Sequence, residues 1–299
     1  MKAIVIVLNF LILALGVSAE GIDGGWHGSI QLGTWDSDIP ISWYEFTDGK
    51  YKIDTTVAGY HPLEQLVPAS KIIDGYYDEA GSFSLEMIGG LQYVSFKSKS
   101  GYTLKSKLGA LISKRRLFLY DDNRLFFDPD ENATWLGYSP RIVTVRSSSS
   151  LKEKQLFYDG ESFIQVPGRI LQPWVEGVPG AGVGQWIEFD IKSKRGWATT
   201  ELLIANGYIS FTNPSLFSKN NRIRGYRITS PALPVPIEGE LKDSQELQSI
   251  VFPSPLKGEM VTVRLTILSI YKGEKWDDTC LSLVCPLPPI PPSQYAPNE

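Results

Sequence analysis

The stretch ISWYEFTDGKYKID, residues 41–54, indicates how the first half of the chain folds. On both sides of Asp48-Gly49, polar residues interleave with aromatic or aliphatic ones at the two-residue period of a β-strand. An Asp-Gly pair readily adopts the positive φ angles that a two-residue hairpin turn requires. The stretch therefore predicts two antiparallel strands joined by a tight turn.

Short strands separated by turns continue through residues 20–140, and no segment of a dozen residues has the 3.6-residue period of an amphipathic helix. Evenly spaced strands without helices predict an all-β domain, either an antiparallel barrel or a sandwich. The opening Gly24-Gly25-Trp26, followed by a meander, is similar to lipocalin-type barrels. That resemblance implies a ligand carrier as one function for this N-terminal β-rich domain.

Residues 1–19 have the pattern of a secretory signal peptide. Lys2 supplies a positive charge, an apolar run extends to Leu15, and small residues precede a cleavage site before Glu20. The alternative is a membrane anchor, but the run is only about 13 residues and a spanning helix needs about 20. The sequence predicts a secreted or periplasmic protein without a membrane span after cleavage.

Charge and composition exclude several functions. The formal net charge is −4, so the chain lacks the excess of Lys and Arg that binding to nucleic acid requires. Two His and two Cys are too few for most metal sites built from these residues. Neither His27 nor His61 has a catalytic partner that the sequence reveals. We therefore predict no catalytic residues, no metal and no cofactor.

The second half of the chain, residues 141–285, carries four blocks in a characteristic order, and a Pro-rich tail is predicted at 286–299. The blocks are WVEGVPGAGVGQWIEF (174–189), IANGY (204–208), NNRIR (220–224) and ILSIYKGEKWDDTCLS (267–282). In this order they resemble the discoidin-like glycan-binding domain that accompanies secreted NAD-glycohydrolase toxins. The resemblance implies a galactose-binding-like jelly roll whose ligands meet the loops at one end. No NAD-glycohydrolase domain is recognisable beside it, so the toxin activity is not implied.

Sugar binding in water requires flat apolar faces for the C–H side of the ring and fixed polar groups for the hydroxyls. Within the four blocks, eight residues supply both kinds of group, in four pairs: Trp174 with Glu176, Asn206 with Tyr208, Asn220 with Arg222, and Trp276 with Asp277. We predict that these residues bind the ligand. A structural role in strands, turns or ion pairs is the alternative for each of them.

Two further features concern the end of the second domain. Asp277-Asp278 leaves a structural Ca²⁺ as an alternative to the absence of a cofactor, since hard cations favour clustered carboxylates. Cys280 and Cys285 enclose a short loop, and a disulfide between them is one outcome of export to an oxidising compartment.

Together these patterns predict an exported bacterial protein, without catalysis, whose C-terminal module binds a glycan or a cell-surface partner. Two alternatives remain at this point. In the first, the N-terminal domain is a secreted hydrolase that the module targets. In the second, it is a lipocalin-like carrier.

Overall fold

A computed structural model describes most of the chain between residues 22 and 289. The described residues are 22, 24–29, 42–56, 76–98, 107–113, 115–120, 124–129, 140–153, 156–164, 172–193 and 198–289. The predicted signal peptide lies outside them, as does the chain from residue 290 onwards.

The N-terminal part forms a closed barrel of eight antiparallel strands. In chain order they are β1 (Gly24–Ser29), β2 (Ser42–Thr47), β3 (Lys50–Thr56), β4 (Tyr76–Ile88), β5 (Leu91–Ser98), β6 (Leu108–Ile112), β7 (Leu117–Tyr120) and β8 (Arg124–Pro129). Each strand pairs with the next, and β1 pairs with β8 to close the sheet. The predicted hairpin is present: Asp48 and Gly49 join β2 to β3 with φ angles of 49° and 71°.

Aromatic side chains pack together with aliphatic ones in the described part of the barrel interior. The ring centroids of Phe46 and Phe83 are 5.2 Å apart, and those of Tyr51 and Phe96 are 5.1 Å apart, with the rings edge to face in both pairs. Edge-to-face packing of this kind brings favourable electrostatics in addition to the burial of apolar area. The barrel therefore has a packed aromatic core in this region, whereas a carrier needs an open cavity there.

The C-terminal part is a β sandwich. Its elements are β9 (Arg141–Ser147), β10 (Lys152–Glu153), β11 (Leu156–Phe157), a 3-10 helix (Glu161–Ile164), β12 (Trp174–Val175), β13 (Trp186–Lys192), β14 (Thr199–Asn206), α1 (Leu216–Lys219), β15 (Asn221–Ile223), β16 (Gly225–Thr229), β17 (Ile237–Glu240), β18 (Leu247–Leu256), β19 (Met260–Ile267), β20 (Ile270–Tyr271) and β21 (Thr279–Leu287). One sheet has the order β17-β16-β19-β13-β9. The other has the order β18-β14-β21-β15-β20, and β12 also pairs with β21. The all-β fold predicted for both halves is confirmed.

The core of the sandwich follows from strand alternation. In β19, Val261, Val263, Leu265 and Ile267 share the inner face and are buried, with polar residues between them. On the outer face of the same sheet, Arg146 and Arg264 both form ion pairs with Glu188. This outer face is therefore polar and suited to contact with water.

The outer face of the other sheet is apolar and is covered by the barrel. Strand β21 is buried at all nine positions, because one side faces the sandwich core and the other faces the barrel. Its pairing with β14 continues through Pro286 and Leu287. These two residues belong to the strand, which corrects the predicted start of the Pro-rich tail at residue 286.

The position of the two cysteines in β21 excludes the disulfide. Neither Cys280 nor Cys285 is in a disulfide, and both are buried in the same strand. Five residues of extended strand separate their Cα atoms by roughly 16 Å, and a disulfide requires less than about 7 Å. The suggested Cys280–Cys285 bridge is therefore wrong for this fold.

Strand β18 is an edge of its sheet and contains two prolines. Thr199 of β14 is paired with Leu256, but Glu201 is paired with Val251, so the register shifts between them. Pro253 and Pro255 lie within this irregular part of β18 and are exposed. Proline cannot donate a ladder hydrogen bond, so an edge or a bulge is where a strand accommodates it.

An ion pair links the barrel to the sandwich. Arg115, between β6 and β7, donates from Nη1 to Oε2 of Glu201 at 2.9 Å and from Nη2 to the carbonyl oxygen of Pro288 at 2.5 Å. The two charged side chains are only 14% and 12% exposed. Removing one partner would leave the other charge buried without compensation.

We expect the substitution Arg115→Ala to lower the free energy of unfolding by about 3 kcal/mol, because the Glu201 carboxylate loses its buried cation. The double variant Arg115→Ala/Glu201→Gln should be less destabilised than the single variant, since the charge is also removed. Urea unfolding of the full chain measures both values. Equal destabilisation of the two variants would contradict this account of the pair.

Candidate functional site

The predicted site blocks meet at one end of the sandwich. Strand β14 ends there at Asn206, and β21 begins beside it, since Asn206 pairs with Leu281. The connections that gather at this end are residues 176–185, 207–220, 241–246 and 272–278. We call this region the loop end. Connecting loops on a rigid scaffold are where binding residues are usually carried.

Two of the predicted ligand residues lie in the interior. Trp174 has no exposed surface, belongs to the core cluster, and donates from Nε1 to the carbonyl oxygen of Ser149 at 2.9 Å. Asn206 is also fully buried and bonds both backbone polar groups of Ile223, at 2.7 and 3.0 Å. Neither side chain has a face open to a sugar. The expectation of ligand contact is therefore corrected for Trp174 and Asn206, which stabilise the sandwich.

Arg222 holds the loops together. Its guanidinium forms a bidentate ion pair with Asp243 at 2.8 and 2.5 Å and donates to the carbonyl oxygens of Asn220 and Lys272. It is only 7% exposed. The Asn220 side chain donates to the carbonyl oxygen of Leu216 at 2.8 Å. Arg222 and Asn220 therefore position the loop end.

Trp276 and Asp277 lie at the surface of the loop end. The Asp277 side chain is 50% exposed, pairs with Lys272, and accepts a hydrogen bond from Nδ2 of Asn221 at 3.1 Å. The hydrogen bonds from Lys272 and then Asn221 lower the pKa of Asp277. Trp276 is half-buried, and the ammonium of Lys275 lies 4.5 Å from its ring centroid. Both residues are accessible to a ligand.

Glu176 is a buried carboxylate beneath the Gly-rich loop. It accepts hydrogen bonds from the backbone N–H groups of Val178, at 2.9 Å, and Thr279, at 3.4 Å. Gly182, with φ of 65°, lies so close that a Cβ there would be 2.4 Å from Cγ of Glu176. Burial raises the pKa of Glu176, and the charge of Asp278 raises it further. The glycine thus allows the loop to close over the carboxylate.

Tyr208 lies in a group of residues that combines aromatic rings with acidic side chains. Its ring packs against Tyr158 at 6.4 Å between centroids. Burial raises the pKa of Tyr208, as do its hydrogen bond with Tyr158 and the charge of Glu153. We call Glu153, Tyr158, Glu176, Tyr208 and Asp278 the tyrosine–carboxylate cluster.

The cluster is electrostatically unfavourable. Burial raises the pKa of Asp278, and the charges of Glu153 and Asp277 raise it further. Burial likewise raises the pKa of the Cys280 thiol well above its usual value, and the charges of Asp278 and Glu176 add to the effect. A thiol held in its protonated form is a poor nucleophile. The cluster thus offers hydrogen-bond acceptors and ring faces, whereas Cys280 does not offer a thiolate.

Three residues of the cluster, Glu153, Tyr158 and Asp278, were not among the predicted ligand-binding residues. Glu153 is in the short β10–β11 hairpin and Tyr158 directly follows it, so both lie outside the four blocks that carried the resemblance. Asp278 was predicted only as a cation ligand.

In the described part of the chain, no three His, Cys, Asp or Glu side chains form a group that could hold a metal ion. Among the same residues, no helix is long and apolar enough to cross a membrane.

Comparison with known families supports the resemblance of the C-terminal part. Residues 138–285 match the family model of the NAD glycohydrolase translocation F5/8 type C domain. The predicted resemblance to this discoidin-like domain is therefore confirmed for the sandwich. The match begins after the barrel, which lies N-terminal to it. No curated protein matches the chain.

Several solved carbohydrate-binding modules are similar to the sandwich. The family 32 module of NanJ from C. perfringens, solved in complex with galactose, is 15% identical over 49% of this chain and 98% of that chain, with a TM-score of 0.34. A family 32 module, CBM32-3, from a family 31 glycoside hydrolase of Clostridium perfringens is 12% identical over 50% of this chain and 91% of that chain, with a TM-score of 0.33. The family 32 module of EndoD from Streptococcus pneumoniae is 11% identical over 50% of this chain and 98% of that chain, with a TM-score of 0.32.

The neighbouring residues Asp277 and Asp278 should affect stability in opposite directions as the pH changes. Asp278 has a raised pKa, so its charge destabilises the fold once the pH exceeds the ordinary value of 3.8. Asp278→Asn should therefore be more stable than the wild type at neutral pH. Asp277 has a lowered pKa, so Asp277→Asn should be less stable there.

The difference at Asp278 should vanish as the pH falls to the ordinary value of 3.8, whereas the difference at Asp277 should persist further, until the pH falls through its lowered pKa. Denaturant unfolding of the full chain between pH 3 and pH 8 measures the differences. Two variants that change stability in the same direction at neutral pH would contradict the environments described for these residues.

Proposed function

We propose that the loop end recognises carbohydrate without catalysis, and that the protein acts outside the cytoplasm. The main support is the half-buried carboxylate of Asp278, whose pKa is raised by burial and further by the charges of Glu153 and Asp277. Groups whose pKa is perturbed by burial and by like charges are concentrated at functional sites. A ligand that donates hydrogen bonds to the half-buried Asp278 or to the exposed Glu153 would relieve the unfavourable electrostatics.

The cluster has the groups that sugar recognition needs. Carboxylate oxygens accept short, charge-assisted hydrogen bonds from hydroxyl groups. The half-buried rings of Tyr208 and Trp276 supply apolar faces for the C–H side of a pyranose. Because the carboxylates would repel a carboxylated or sulfated sugar, the loop end favours neutral or amine-bearing glycans.

The described residues give less support to the two alternatives. Within the module, Glu176 has no exposed surface from which to protonate a leaving group and burial keeps the Cys280 thiol protonated, so neither group supports hydrolysis at the loop end. A carrier needs an open barrel, but Phe46, Phe83 and Phe96 pack together inside it. Recognition at the loop end therefore remains the function that the geometry favours.

The full chain should bind neutral glycans more tightly than acidic ones in a glycan array followed by calorimetry. Asp278→Asn and Trp276→Ala should each lower the affinity about tenfold, because each removes one ligand contact. Trp186→Ala is the matched control, since its ring lies on the outer face of the other sheet, under the guanidinium of Arg264. Failure of the folded chain to bind any glycan would contradict the function. Loss of binding in Trp186→Ala, with binding retained in Asp278→Asn and Trp276→Ala, would contradict the location of the site at the loop end.

Export predicts that the mature protein begins at Glu20, after cleavage of residues 1–19. Sequencing of the N-terminus after expression in a bacterium with the native leader measures this directly. Ala19→Arg places a bulky charge next to the cleavage site and should retain the leader. An uncleaved wild-type chain in the cytoplasmic fraction would contradict the extracytoplasmic role.

A further inference from the structure

We infer that the barrel and the sandwich form one rigid unit that separates only when the sandwich itself unfolds. The family match covers the sandwich alone. In this chain, however, one face of that domain is completed by the barrel. The inference concerns the whole chain and does not depend on which ligand the loop end binds.

The contact is an apolar layer between two sheets. On the barrel, the outward residues of three neighbouring strands contribute to it: Leu91, Tyr93, Leu111, Phe118 and Tyr120. The sandwich contributes residues of β14, β21 and the loops beside them: Leu203, Ala205, Ile209, Phe217, Leu283, Cys285 and Leu287. All of these residues are buried. Separation would expose them together, and soluble proteins rarely present so large an apolar patch.

Phe211 fits into a notch of the barrel. Its ring centroid lies 5.4 Å from that of Tyr93 and 5.1 Å from that of Tyr120. The hydroxyl of Tyr93 donates to the carbonyl oxygen of Phe211 at 2.8 Å. Gly109 forms the floor of the notch, since a Cβ there would lie 2.3 Å from the Phe211 ring. A shape fitted this closely specifies one orientation of the two domains.

Polar contacts fix opposite ends of the apolar layer. At the end away from the loop end, Arg115 binds Glu201 and the carbonyl oxygen of Pro288. At the loop end, Nε2 of Gln245 donates to the carbonyl oxygen of Gly89 at 2.8 Å, in the turn between β4 and β5. Contacts at both ends oppose rotation of the barrel against the sandwich as well as separation of the two.

The outer faces of the two sheets differ in polarity, as expected if one of them is always covered by another domain. The face without a domain on it carries the ion pairs of Arg146 and Arg264 with Glu188. The covered face carries leucines and a buried thiol. The apolar composition of the covered face is therefore explained by its contact with the barrel. The sandwich cut out alone would expose that apolar face to water.

The rigid unit also brings the barrel to the edge of the loop end. Gly89 and Gly90, in the β4–β5 turn, lie against Pro214 and Gln245. Met87 and Ile88 beside this turn are 49% and 39% exposed. A large partner bound at the loop end would therefore meet this corner of the barrel in a fixed position.

The two buried thiols of the full chain provide the test. Cys285 is shielded by the barrel, whereas Cys280 packs with Tyr158 and Val175 in a small cluster at the loop end of the sandwich. Alkylation of each thiol is followed by mass spectrometry at increasing urea, and each rate is divided by its rate in the unfolded chain. In a rigid unit, Cys285 is at least as well protected as Cys280 and its rate has the urea dependence of global unfolding.

Independent opening of the interface would give the opposite pattern. Cys285 would then react more than about a hundredfold faster than Cys280, with weak dependence on urea, and the inference would be overturned. This comparison uses the wild-type chain, so it stands even where an interface variant fails to fold. It also needs no glycan, so its outcome is separate from that of the binding assay.

A pair of variants shows whether the barrel is what protects Cys285. Gly109→Val places a side chain against the ring of Phe211 and should raise the rate at Cys285, relative to Cys280, about tenfold or more. Ser84→Val, at an exposed position of β4, is the control and should leave the ratio unchanged. A folded Gly109→Val protein with the wild-type ratio would count against the inference.

Discussion

The burial of strand β21 on both faces is the constraint on which the molecule depends. An antiparallel strand with apolar side chains on both sides needs two separate covers. The sandwich core covers one side through Leu281 and Val284, and the barrel covers the other through contacts with Leu283, Cys285 and Leu287. Because of this requirement, the barrel is part of the packing of the sandwich. The requirement also leaves the loop end as the surface where the strands of the sandwich give way to polar connections.

Local patterns predicted much of the fold, because turns and strand alternation are properties of neighbouring residues. The Asp48-Gly49 hairpin and the inward face of β19 could be derived in this way. The interface between the domains could not, since it joins residues such as Tyr93 and Phe211 that are far apart in the chain. A signal was present nevertheless: residues 117–120 are apolar or aromatic without alternation, which indicates a strand covered on both faces.

For the candidate site, the sequence predicted the loops that come together but not which of their side chains are exposed. The resemblance indicated which loops would meet, and they do meet at one end of the sandwich. It did not indicate which side chains face outward, because residue type does not distinguish a buried Trp174 from a half-buried Trp276. Tyr158 was overlooked because a separate hairpin brings it to Tyr208. The chemistry of the cluster depends on this long-range contact.

The irregular edge of the sandwich affects how the protein behaves at high local concentration. A free sheet edge is a template on which a second molecule can add a strand, and such addition leads to aggregation. Strand β18 forms such an edge, and Pro253 and Pro255 interrupt its pairing pattern. A neighbouring chain would find no continuous row of N–H donors there. Neighbouring copies of the protein are therefore not expected to extend their sheets through this edge.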